Sequence, residues 1–207
     1  MTQTPASRPP RAGSATASPF FADDNREPAI SDNGSIIAFI STGDLVPGVG
    51  NADRNPELFL SPVVSSNAFT YIQGTDTEDP VQGVGLIFQS NPTLSDDGSQ
   101  VSFMSSADLA EPKTNGDGNA EIYLASVGGG GLSSIFQVTR TQNGTFNANV
   151  LSPGRRLSRD GEFIAFESRA TDPKANATVS TPFLGLFVYT VASNTFVEVG
   201  TRPNFTD

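Results

Sequence analysis

Three stretches of the chain alternate apolar with small or polar side chains in the same order: ISDNGSIIAFIST from Ile30, LSDDGSQVSFMSS from Leu94 and LSRDGEFIAFESR from Leu157. Each carries an Asx-Gly pair, Asn33-Gly34, Asp97-Gly98 or Asp160-Gly161, whose residue types supply the positive φ angles of a tight hairpin turn. Beyond the glycines, two apolar positions separated by one small residue stand at matching places: Ile37 and Phe39, Val101 and Phe103, Ile164 and Phe166, with Ala38, Ser102 or Ala165 between them. Such alternation predicts a strand with one face in a core. The interval from Gly34 to Gly98 is nearly the same as that from Gly98 to Gly161, which marks a structural repeat. A second apolar run keeps step, since ELFL from Glu57, EIYL from Glu121 and GLFVY from Gly185 follow their own glycines at almost the same offset, with the slight slip of a loop insertion in the third.

These patterns predict three units, over residues 28–91, 92–151 and 152–207. Unit one is expected to hold strands at 36–41, 57–63, 68–74 and 84–89, unit two at 100–106, 121–127 and 133–140, and unit three at 163–168, 185–191 and 195–201. Nowhere does a helical period emerge, so the expected fold class is all-β. Residues 1–20, rich in Pro, Ser, Thr and Ala, read as a disordered tail or linker without the apolar core of a signal peptide.

The ladder Ser-x-Asx-Gly followed by Ile-Ala-Phe and then Glu-Ile-Tyr-Leu resembles the repeat of TolB-type β-propellers, over residues 28–207. The resemblance implies β-propeller blades, three four-stranded repeats that make up half or part of a six- to eight-bladed ring. Three blades do not close, so it also implies a larger propeller or a homodimer that completes the ring. Propellers of this kind serve as partner-binding modules, cell-surface proteins and substrate filters on peptidases. The function implied is a non-enzymatic module for protein–protein interaction, periplasmic or extracellular. The alternatives are a calcium-stabilised adhesion or envelope module, and the propeller domain of a larger enzyme. Two departures stand out: units this long require a long loop each, and Gly185 replaces the glutamate of the second strand in the third copy.

Composition narrows the chemistry. The net charge is −10, with Lys113 and Lys174 the only lysines, so a phosphate backbone is repelled and no nucleic-acid partner is expected. No apolar run reaches membrane-span length, so no membrane insertion is expected. Of 207 residues none is Cys or His. Disulfides, thiolate metal sites, and Ser-His or Cys-His nucleophile systems are thereby excluded.

What remains is oxygen chemistry. NADRNPE at 51–57 and NGDGNAE at 115–121 both spell Asn-x-Asp-x-Asn-x-Glu, at the same place in the first and second units. Alternating oxygen side chains in a turn-rich loop can converge on a hard cation, which makes Asn51, Asp53, Asn55 and Glu57, with Asn115, Asp117, Asn119 and Glu121, candidate calcium ligands. No other cofactor is expected. The alternative is structural: Asn and Asp shape the turn, while the glutamate accepts backbone or Arg hydrogen bonds. Asp44 and Asp108 also repeat, at equal offsets from Gly34 and Gly98, where acid-base work would need both in one pocket and a repeat would instead spread them apart.

Overall fold

The computed structural model describes residues 24–46, 48–49, 51–64, 70–78, 87–142, 149–150, 156–175 and 184–200. Twelve strands are found there, β1 (Asn25–Ile30), β2 (Ile36–Ser41), β3 (Glu57–Pro62), β4 (Ile72–Gln73), β5 (Gln89–Leu94), β6 (Gln100–Ser105), β7 (Glu121–Gly128), β8 (Gly131–Gln137), β9 (Asn149–Val150), β10 (Phe163–Ser168), β11 (Gly185–Thr190) and β12 (Thr195–Gly200). They form three four-stranded antiparallel sheets, β1 to β4, β5 to β8 and β9 to β12, each with neighbouring strands in chain order. A single 3₁₀ turn at Asn51–Asp53 is the one helical element among the described residues. The all-β expectation and its three repeats of four strands are thus met. The tail expected over residues 1–20 lies outside the described residues.

Alternation of side chains along each strand is what stacks one sheet on the next. Phe39, Phe103 and Phe166 stand directly opposite Phe59, Tyr123 and Phe187 on the adjacent strand. Each pair stacks, with ring centroids 5.8, 5.8 and 5.6 Å apart, within the spacing that aromatic pairs favour. In the second sheet the Phe103–Tyr123 pair joins Val101 and Ala125 in a core with Ala38, Ile40, Leu58 and Leu60 of the first. Its opposite face, Met104, Ile122 and Leu124, packs against Ile164, Phe166, Phe187 and Tyr189 of the third. At both junctions, therefore, an aliphatic face of the earlier sheet meets an aromatic face of the later one.

The turns differ from the expectation in one respect. Positive φ falls on the glycines alone, at 70°, 75° and 76° for Gly34, Gly98 and Gly161, and not on the Asx before them. The loops are longer than a two-residue turn: Gly34 N–H donates to Ser31 O at 2.8 Å, and Ser31 N–H closes the loop on Ile36 O at 3.0 Å. Ser31, Ser95 and Ser158 donate to the Asx carboxyl or amide oxygen two residues on, at 2.8, 2.8 and 2.5 Å. That oxygen in turn accepts the N–H of Ser35, Ser99 or Glu162 at 2.9, 2.9 and 3.0 Å, an Asx-turn built into the sequence. At Gly98 close approach adds to the positive φ, because a Cβ there would lie 2.3 Å from the Ile36 side chain.

The three turns meet. Asn33 N–H donates to Asp96 O at 3.1 Å, Asp96 N–H to Arg159 O at 2.7 Å, and the Arg159 guanidinium reaches Asp32 at 2.5 Å. Sequence pattern misplaced the strands beside them. Of the strand expected at 84–89 as the end of unit one, residues 84–86 lie outside the described residues, and Gln89 instead opens β5, which pairs with β6 and belongs to the second sheet. The 91/92 boundary therefore cuts a strand. Both β1 and β5 bulge, between Arg26 and Ala29 and between Ser90 and Thr93, with positive φ at Glu27 and Asn91 ahead of Pro28 and Pro92. The Glu27 carboxylate accepts the Asn91 N–H, tying one bulge to the next.

Candidate functional site

The two Asn-x-Asp-x-Asn-x-Glu loops lead into β3 and β7, and their glutamates end up fully buried. Glu57 accepts Thr75 Oγ1 at 2.5 Å and Gln89 Nε2 at 2.8 Å on Oε2, and Thr77 N–H at 2.7 Å together with the Thr77 hydroxyl on Oε1. Glu121 repeats this with Thr139 Oγ1 at 2.5 Å on Oε2, and Thr141 N–H and Oγ1 at 2.6 and 2.8 Å on Oε1. Burial pushes both carboxyls up from 4.5 to about 7, and the threonine hydrogen bonds oppose that rise without cancelling it. Each glutamate fastens the start of its third strand to the segment after the fourth. Gln89 extends the first clasp into the second sheet.

The sequence signal for these partners was Thr-x-Thr, Thr75-Asp76-Thr77 and Thr139-Arg140-Thr141, which recurs in step with the rest of the repeat. It went unused because threonine pairs carry no chemistry until something places a carboxylate between them. Of the backbone or Arg donors that the structural alternative named, the backbone N–H groups of Thr77 and Thr141 are present, and threonine hydroxyls and the Gln89 amide stand where arginine was allowed.

The other loop residues hold the chain's path. Asn51 Nδ2 donates to Gly43 O and Asn55 O at 3.2 and 3.1 Å, and Asn115 Nδ2 to Ser106 O and Asn119 O at 3.3 and 2.9 Å. Asn55 donates to Asp53 Oδ2 and Thr77 O at 2.6 and 2.8 Å, and Asn119 to Thr141 Oγ1 at 2.8 Å. Asp117 lies exposed at the loop tip. Asp108 Oδ1 accepts the N–H of Thr114 and Asn115 at 2.9 and 3.1 Å, a turn-capping task, and its repeat partner Asp44 follows β2 in the first sheet. The repetition thus separates the two aspartates instead of pairing them.

For calcium the geometry is mixed. Asn51 Oδ1 and Asn115 Oδ1 are buried acceptors at equivalent places with no donor among the described residues, whereas both glutamates face N–H and O–H donors. Among the described residues no three acidic side chains are placed to hold one metal ion. This arrangement supports the turn-shaping alternative. Millimolar calcium is accordingly expected to leave the melting temperature unchanged, by the linkage of ligand binding to folding. A rise in melting temperature that Asp117→Ala removes would restore the cation reading.

The second of these loops, with the segment after β4, also shapes a groove of about 620 Å³ between the first and second sheets. Asp76, Glu78, Asp108, Lys113 and Asn115 line it, with Ile87, Leu109 and Ile135 as its apolar wall. Lys113 is held at one side, donating to Asp108 O at 2.5 Å and lying 3.7 Å from Glu111. Asp76 and Glu78 were not singled out from the sequence, since only the fold brings the segment after β4 beside the loop between β6 and β7.

No family model matches the chain, and no curated protein matches it. Among solved structures it is similar to TolB from Acinetobacter baumannii, at 17% identity and a TM-score of 0.47, covering 87% of this chain and 33% of that one. It is also similar to the β-propeller domain of the Trilobed protease from Pyrococcus furiosus, described as having an open velcro topology, at 14% identity and a TM-score of 0.47, covering 88% of this chain and 43% of that one. The chain thus spans less than half the length of either structure. At these identities nothing about binding or activity passes from them to this protein.

Proposed function

We propose that the chain is a non-enzymatic, repeat-built module for protein–protein interaction, working in the periplasm or at the cell surface. The observation that carries this reading is the groove between the first two sheets. It is framed mainly by loops, with Ile135 of β8 in its wall, and Asp76, Glu78 and Asp108 gather on it in a chain of net charge −10. Loops held on a rigid scaffold are where binding surfaces arise, and an acidic rim with an apolar wall suits a segment carrying Arg or Lys beside an apolar side chain. Chemistry is a poorer fit: His and Cys are absent from the chain, and the two glutamates with raised pKa values are enclosed by their threonines rather than open to a substrate.

A library of basic-apolar peptides tests the proposal. Binding is expected to weaken by about tenfold in Asp76→Asn/Glu78→Gln, the equivalent of about 1.4 kcal/mol, and to fall as salt screens the rim. Peptides that bind the variant and the parent equally would place the contact elsewhere. An enzymatic reading would instead need turnover by this chain that Glu57→Gln or Glu121→Gln abolishes while the fold is kept.

A further inference from the structure

A second groove, of about 250 Å³, lies beside the first, between the second and third sheets. Glu111, Pro112 and Thr114, from the segment between β6 and β7, border it, whereas Asp108, Lys113 and Asn115 of the same segment border the first groove. Ile135 on β8 belongs to the wall of both. The two grooves are therefore neighbours on one continuous surface, parted by a crest of backbone.

Their charges are opposite. The first groove carries Asp76, Glu78 and Asp108 against Lys113, and the second carries Arg140 and Lys174 against Glu111. Lys113 and Glu111 lie 3.7 Å apart, so the pair on the crest is balanced. What remains is acid on one side and base on the other, in a chain with only 12 basic residues to 22 acidic ones. The basic groove is firmly framed. Arg140 N–H donates to Pro173 O at 2.6 Å, which fixes the end of the second sheet against the loop after β10. Lys174 Nζ donates to Asn194 O and Oδ1 at 2.7 and 2.6 Å, and Tyr189 Oη donates to the same Oδ1 at 3.0 Å. Phe136, 42% exposed, stacks on Tyr189 with ring centroids 6.5 Å apart and gives the groove an aromatic wall. Among the described residues, neither Arg140 nor Lys174 meets a carboxylate.

We propose that the two grooves form one site for a single extended peptide segment of bipolar charge, with its Arg or Lys beside Asp76 and Glu78 and its Asp or Glu beside Arg140 and Lys174. This site rests on the first groove being a peptide site, as proposed above, and adds a second contact and a register to it. A cation without a carboxylate partner, next to an apolar wall, suits an acidic residue with an apolar neighbour. Opposite charges on adjoining grooves also reject wrong partners: a wholly basic segment meets Arg140 and Lys174, and a wholly acidic one meets Asp76 and Glu78. The crest fixes the separation of the two charges. An extended segment advances about 3.3 Å per residue, more than the ~2.9 Å of a hydrogen bond, so the site selects a narrow range of spacing between the basic and the acidic residue.

Peptides of one composition test this, each with one Arg, one Asp and apolar residues in a neutral frame, differing only in the number of positions from Arg to Asp. A companion to each carries Asn in place of Asp. In fluorescence anisotropy with the full chain, the best-spaced peptide should bind about tenfold more tightly than its Asn companion, the scale of one charge-assisted contact, and badly spaced ones no more tightly. Bulk charge works against such a gain, because Asp adds a negative charge to the ligand of a chain whose net charge is −10. Arg140→Gln should remove most of the gain and leave the Asn companion's affinity unchanged, with circular dichroism and melting as in the parent because Arg140 is exposed. Asp76→Asn/Glu78→Gln should weaken both peptides alike. A gain that is equal at every spacing, or that survives Arg140→Gln, overturns the bipolar site. So does an Asp that adds nothing at any spacing while the Asn companion binds and responds to Asp76→Asn/Glu78→Gln, and the first groove then stands alone. An Asn companion that does not bind, or that ignores that double substitution, removes the first-groove reading and the bipolar site with it.

Discussion

Phe103→Ala should cost about 3 to 5 kcal/mol of folding stability, the range for deleting a fully buried aromatic ring. The ring is buried, stacked on Tyr123, and packed among Ala38, Ile40, Leu58 and Leu60 of the neighbouring sheet. Its removal opens a cavity in the interface of two sheets rather than in one sheet alone, and neither side can collapse without moving a strand. Since domains of this size are stable by only about 5 to 15 kcal/mol, a large part of the total depends on it. Phe166→Ala, at the equivalent place between the second and third sheets, should lose a similar amount, and Phe163→Ala little, because that ring is on the exposed side. Urea unfolding reads all three, with the midpoint shifting and the slope unchanged. A loss below about 1 kcal/mol at Phe103 is inconsistent with the interlocking sheets described here.

That test also marks how much could be read before the structure. Phe39, Phe103 and Phe166 were legible because a strand with one buried face leaves a period of two in the sequence, and because the whole unit recurs. The first strands of the sheets were not legible. Arg26-Glu27-Pro28 and Ser90-Asn91-Pro92 break alternation with a bulge and a proline, which removes the ladder donor that marks a strand. Without them, pattern alone assigned β5 to the wrong unit. The candidate calcium ligands show a different limit. Alternating oxygens look the same whether they face a cation or one another, and only the return of Thr75-Asp76-Thr77 and Thr139-Arg140-Thr141 across the sheet shows which way Glu57 and Glu121 are satisfied. Asp76 and Glu78 belong to the groove through packing of two sheets, a relation no local pattern records.

Stability should fall as pH rises from about 5 to 8, and the two clasped glutamates should be the cause. Both have folded-state pKa values near 7, above the 4.5 of an unfolded chain, so between these values the folded state holds protons that the unfolded state releases. Their contribution is complete below about 4.5 and is lost as pH climbs through 7, up to about 3 kcal/mol for each. Asp97 and Asp160 act in the other direction, because hydrogen bonds from their own turns hold them below 3.8 and they favour folding only above that value. The two effects do not overlap in pH, which leaves the fall from 5 to 8 to the glutamates. Glu121→Gln should keep its acceptor for Thr141 N–H and supply an amide donor to Thr139, so it should fold, with about half the pH slope of the parent. Glu57→Gln/Glu121→Gln should be nearly flat, while Glu198→Gln, an exposed control, should retain the full slope. Melting curves at pH 5, 6, 7 and 8 decide it: a parent whose stability rises over that range, or a double variant that keeps the parent's slope, would show that the clasps titrate outside this window and that another group sets the pH response.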